Sequence, residues 1–129
     1  MKAYWDSSAL VESYNNPQIK ARLETERAFT RPHALAETFA SLTANPKTRI
    51  DADAAAGVLA RLALSLDFVE LTGLDVLAAL KTARAKGVRG GRVHDYLHAV
   101  AAEKSGAKTI LTLDKNDFES LTRLNVEQA

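Results

Sequence analysis

With 129 residues, the chain has room for one domain built on one core and no room for two. Hydrophobic residues make up 47% and charged residues 26%, a globular balance that argues against disorder, and no apolar run nears the roughly 18 residues of a membrane span. Cysteine is absent, which excludes disulfides, thiolate zinc sites and cysteine nucleophiles, and the net charge of +1 does not by itself point to a nucleic-acid partner. Residues 1–6 meet charged and polar side chains too soon for a signal peptide. A single domain over residues 1–129, cytoplasmic and without a membrane segment, is the expectation.

Residues 2–5 read as a short first strand, followed by a helix to about Tyr14 capped by Ser7 or Ser8. After Asn15-Asn16-Pro17 a second helix carries Ile19 and Leu23 one turn apart, and residues 28–31 form a weak strand. Pro32 suits the first turn of a third helix with an apolar stripe of Leu35, Phe39 and Leu42, ended by Asn45-Pro46. A fourth helix over about residues 51–65 turns Val58, Leu59, Leu62 and Leu66 inward, and residues 68–71 alternate as a strand. A fifth helix covers residues 74–86 until Gly87 stops it. Gly90-Gly91 release the chain into a helix over 93–105, then a strand at 109–112, a short helix at 115–121 and an edge strand at 124–126. Strands alternating with helices predict an α/β fold with a central parallel sheet of four to five strands.

Charge is unevenly spread. Residues 77–94 contain no acid, yet Lys81, Arg84, Lys86, Arg89 and Arg92 all fall there. On one surface they could neutralise several phosphates; the plainer reading is a solvated helix end and loop. Lys86, Arg89 and Arg92 are the candidates for contacting nucleic-acid phosphates.

Open parallel sheets gather function at the carboxyl ends of their strands. Asp6 follows the first strand, Asp114 follows the strand at 109–112, and Asp95 lies in the first turn of its helix. Each has a structural explanation. Asp6 could cap the first helix, Asp114 and Asp117 resemble a capping pair, and a helix dipole favours Asp95. Glu37 lies inside a helix and is not a cap; its wheel neighbours Ala40, Ser41 and Ala44 are small and predict close approach of another element. Asp95 is flanked in the same way by Ala99 and Ala102. Carboxylates drawn together repel unless a cation compensates, and an all-oxygen set suits Mg²⁺ or Mn²⁺.

Four segments in order resemble the PIN domain family, and within it the VapC-type ribonuclease toxins of prokaryotic toxin–antitoxin pairs. They are Tyr4-Trp5-Asp6-Ser7-Ser8-Ala9-Leu10-Val11, Ala34-Leu35-Ala36-Glu37, His94-Asp95-Tyr96-Leu97-His98-Ala99-Val100-Ala101-Ala102 and Leu111-Thr112-Leu113-Asp114-Lys115-Asn116-Asp117-Phe118. The resemblance implies a three-layer α/β/α fold and an Mg²⁺- or Mn²⁺-dependent endoribonuclease whose metal-site acids are Asp6, Glu37, Asp95 and Asp114. Ser8 and Thr112 match its supporting hydroxyls, and Asp117 could serve as an outer-shell or supplementary acid, with capping the plainer reading. It further implies a homodimer and inhibition by a small antitoxin. The chain departs from the pattern twice: the first strand is short and polar, with Lys2 and Tyr4, and His98 stands where a small or aliphatic residue is usual.

Two other readings compete. His94-Asp95-Tyr96-Leu97-His98 mimics a zinc-binding H-E-x-x-H helix, but aspartate replaces the glutamate base and no third ligand follows at a matching spacing, His33 being available only in principle. On the nuclease reading these histidines are surface or outer-shell residues. A catalytically inactive PIN-fold binding module would lack acids, and all four are present. A phosphatase of the haloacid-dehalogenase type would need an acid where Ser8 stands.

Overall fold

The computed structural model describes residues 2–129; Met1, the first residue of the expected domain, lies outside the described residues. Its elements run β1 (Ala3–Trp5), α1 (Ser7–Asn15), α2 (Pro17–Glu26), β2 (Ala28–Thr30), α3 (His33–Ala44), α4 (Ala52–Ala63), β3 (Leu66–Phe68), α5 (Gly73–Thr82), α6 (Val93–Ser105), β4 (Thr109–Thr112), α7 (Lys115–Glu119) and β5 (Asn125–Gln128). Among the described residues the five strands form one all-parallel sheet in the order β3-β2-β1-β4-β5. No described helix is long and apolar enough to cross a membrane.

Side chains alternate across a strand, and this divides the core in two. Ala3 and Trp5 of β1 and Leu111 of β4 join one cluster with Leu10, Leu23, Leu59 and Leu62 of α1, α2 and α4. Tyr4, Ile110 and Val126 point the other way, onto Tyr96, Ala99 and Ala102 of α6 and Phe118 of α7. Helices on both faces keep the parallel strands out of water. Each fully buried large side chain contributes about 1.5–3 kcal/mol; Trp5 and Phe118, 1% and 0% exposed, anchor opposite faces.

Several boundaries differ from the sequence reading, each for a local reason. The strand expected at 68–71 is at Leu66–Phe68, where Ala28, Phe29 and Thr30 of β2 pair with it. Leu66 therefore belongs to β3 and not to α4. The fifth helix stops at Thr82 and gives way to a 3₁₀ turn at Arg84–Lys86 before Gly87, at φ +67, reverses the chain. Asp6, rather than Ser7 or Ser8, caps α1 by accepting the Ala9 N–H. The polar start of β1 also has its reason. Lys2 pairs with Asp67 at 2.5 Å and lies 4.4 Å from the Phe29 ring centre, while Arg27 holds the other Asp67 oxygen at 3.0 Å. Hydrogen bonds from Arg27 and then Lys2 lower the Asp67 pKa to about 2.

Candidate active site

The strand order reverses between β1 and β4, because β1 continues to β2 on one side and β4 to β5 on the other. Loops diverge at such a switch and leave a crevice at the carboxyl ends of the two strands. Trp5 is in register with Leu111, so Asp6 and Thr112 emerge side by side on the α6 face. Asp114 follows two residues later. Asp95 enters from the first turn of α6.

Asp6 is 3% exposed and held on three sides. Its Oδ1 accepts the Ser8 hydroxyl at 2.7 Å and the Ala9 N–H at 3.0 Å, and its Oδ2 accepts the Thr112 hydroxyl at 2.7 Å. A carboxylate offers about four acceptor positions, so one remains, on Oδ2. Ser8 and Thr112 are held in turn: Ser8 Oγ accepts the Leu113 N–H at 2.9 Å and Thr112 Oγ1 the Asp114 N–H at 3.0 Å. These two hydroxyls couple the start of α1 to the end of β4.

Thr112→Val keeps the shape and removes both bonds, leaving a buried carboxylate oxygen short of a donor. The expected cost is about 1–3 kcal/mol, read as a lower urea midpoint; an unchanged midpoint would mean the Thr112 bonds contribute nothing.

The electrostatics show which acids the fold brings together. Burial raises the Asp6 pKa against the opposing bonds from Ser8, Thr112 and Ala9 and the charge of His98. Burial also raises that of Asp95, and Asp6, Asp114 and Asp117 add to it while His98 opposes. Asp6, Asp95, Asp114 and Asp117 thus share one field. Asp114 sits at the N-cap position of α7 but makes no side-chain cap bond, so the expected capping arrangement with Asp117 is not formed.

Glu37 is governed mainly by its own burial and by histidines. Burial would raise its pKa, but the His98 hydrogen bond and the charges of His98, His33 and His94 lower it. His98 Nε2 donates to Glu37 Oε1 at 2.6 Å, and His98 Nδ1 lies 2.7 Å from the Tyr4 hydroxyl. Two expectations are corrected here. His98 is not a surface residue, being 1% exposed. Ala40, Ser41 and Ala44 face solvent, so among the described residues no element closes over that flank of Glu37; Ala99 and Ala102 beside Asp95 are fully buried, as close packing requires.

The zinc arrangement does not form either. Both ring nitrogens of His98 are engaged, and the His94 ring instead stacks on His33 with centroids 5.9 Å apart. Among the described residues no three His, Cys, Asp or Glu side chains stand close enough together to hold a metal ion as placed. The donor chemistry nonetheless suits a hard divalent ion: Asp6, Asp114 and Asp117 raise the pKa of Asp95, and a cation would relieve that.

The basic stretch splits in two. Lys81, Arg84 and Arg89 are exposed and Lys86 is partly so, along the end of α5 and the following loop. Arg92 is tied down, its Nη2 donating to the Asp117 carbonyl at 3.1 Å and the Ser120 hydroxyl at 2.6 Å. Sequence reasoning missed the bond between Tyr4 and His98, and it missed Arg31. Arg31, just past β2, has its Nε buried without a hydrogen-bond partner among the described residues and lines a cleft with His33, Glu70 and Thr72.

The five-stranded parallel sheet with helices on both faces is consistent with a PIN-like α/β/α fold. The PIN domain profile matches residues 3–124, nearly the whole chain, and the protein belongs to the PIN domain family. PIN domains are generally metal-dependent nucleases. No curated protein matches the chain.

Proposed function

We propose that the protein is an Mg²⁺- or Mn²⁺-dependent endoribonuclease, the toxin half of a toxin–antitoxin pair of the VapC type. The observation that supports the chemistry is the shared field of Asp6, Asp95 and Asp114 at the β1/β4 switch. Asp6 (through its free Oδ2 position), Asp95 and Asp114 would hold the metal, with Glu37 joining directly or through water. A bound ion would orient a water, favour its deprotonation and offset charge on the phosphodiester during in-line displacement. Hydrolysis would leave a 5′-phosphate and a 3′-hydroxyl.

The chain's own residues supply the rest. Ser8 and Thr112 keep the Asp6 carboxylate in one orientation. Lys81, Arg84, Lys86 and Arg89 offer cations to RNA phosphates, and Arg92 acts by joining α6 to α7.

Two surfaces support the proposed partners. A cleft of about 400 Å³ between α1, α2 and α4, lined by Tyr14, Leu23, Val58, Leu62 and Leu64, suits the apolar side chains of a docked antitoxin helix. Leu74, Leu77 and Leu80 on α5 are 79%, 57% and 45% exposed and offer an apolar stripe to a second copy. The test is to purify the protein free of any antitoxin and incubate it with RNA and Mg²⁺ or Mn²⁺. Cleavage that stops on chelation and returns with metal is expected. Cleavage indifferent to the ion, or no cleavage in any ion, would rule the assignment out.

A further inference from the structure

Tyr4 and His98, which belong to the two departures from the PIN pattern, are 94 residues apart and hydrogen-bonded to each other. Both are fully enclosed, at 0% and 1% exposure, and their rings meet edge to face at 5.8 Å. Beyond His98 the chain of bonds ends on the Glu37 carboxylate. A polar unit of this kind buried in an otherwise apolar layer is costly unless each atom is satisfied. Here the satisfaction has a direction. A carboxylate can only accept, so His98 Nε2 carries a hydrogen; the Tyr4 hydroxyl has a hydrogen to give, and Nδ1 receives it. A hydrogen on Nε2 is what the Glu37 bond requires.

From this we infer that His98, held by Tyr4, is a positioning residue for Glu37. It binds Oε1 and leaves Oε2 as the oxygen available to a metal or to a metal-bound water. The inference rests on the nuclease reading above and adds to it a residue acting through Glu37. In the place of a small side chain, the imidazole spans the distance from the β1 core to α3. It converts a flexible glutamate on an open helix flank into one with a defined orientation. Partners of this type set the direction and basicity of ligands, and their loss costs about 10- to 100-fold in metal affinity or activity.

The experiment compares wild type with His98→Leu, His98→Gln, Glu37→Gln and the His98→Leu/Glu37→Gln double variant. Mn²⁺ alone is titrated into RNA-free protein by calorimetry, and kcat and KM are measured on an RNA oligonucleotide. His98→Leu should weaken Mn²⁺ binding and lower kcat by about 10- to 100-fold with KM little changed. His98→Gln, which retains a side-chain donor, should recover most of both. In the Glu37→Gln background His98→Leu should do nothing further, because the two act as one unit. Additive losses, or a folded His98→Leu variant with wild-type Mn²⁺ affinity and kcat, would overturn the proposal.

Where His98→Leu does not fold, the Gln variant and the imidazole ¹⁵N spectrum of the wild type decide. A hydrogen on Nε2 whose resonance moves in Glu37→Gln is expected; a hydrogen on Nδ1 alone, or indifference to Glu37, overturns the proposal. Wild-type protein that neither binds Mn²⁺ nor cuts RNA is a different outcome and removes the nuclease reading itself.

Discussion

Asp95→Asn should reduce RNA cleavage by at least about 100-fold, since loss of even an outer-shell partner of a metal site costs about 10- to 100-fold. The same variant should be no less stable than wild type. Burial, followed by the charges of Asp6, Asp114 and Asp117, raises the Asp95 pKa above its ordinary 3.8. A carboxyl with a raised folded pKa binds its proton more tightly folded than unfolded, so its contribution to stability falls as pH climbs from near 3.8 through the folded value. Asparagine removes that loss. In metal-free buffer at neutral pH the variant should therefore melt at or above the wild-type Tm, and any gain should fade as pH drops toward 4. Inactivity combined with a lower Tm at neutral pH would instead make Asp95 a structural residue.

Divalent metal should produce the second large effect. An ion bound only by the folded state stabilises it by about 2.7 kcal/mol at one hundred times its Kd, roughly 10 °C for a chain of this size. Saturating Mn²⁺ should raise the wild-type Tm by that order at neutral pH, and the rise should be largely absent in Asp95→Asn and Asp114→Asn. Equal shifts in wild type and both variants would place the ion elsewhere on the surface.

The sequence is most legible where local chemistry and tertiary packing agree. The helix at 93–105 and the strand at 109–112 coincide with α6 and β4 because Gly90-Gly91 and Gly106 bound one and an apolar run defines the other. β3 was displaced by two residues because pairing with β2 chose among alternating side chains that a one-dimensional pattern cannot rank. Asp6 and Asp114 could be placed at strand ends from spacing alone, but the strand order that makes those ends neighbours is a tertiary property.

The Glu37 flank misled for a related reason. Ala40, Ser41 and Ala44 mark a smooth helix face, and smoothness does not say whether anything packs there. Tyr4 and His98 were visible only as two unrelated departures, since hydrogen bonding across 94 residues leaves no local signal. Arg31 gave no cue at all; its significance comes from its position just past β2.

The central claim is that Asp6, Asp95 and Asp114 hold a divalent ion at the β1/β4 switch. Crystals soaked in Mn²⁺ and measured at the manganese absorption edge test it most directly. An anomalous peak among the carboxylates of Asp6, Asp95 and Asp114 is the result predicted. A soaked crystal with no peak there, or with its peak beside His33 and His94, would contradict the claim.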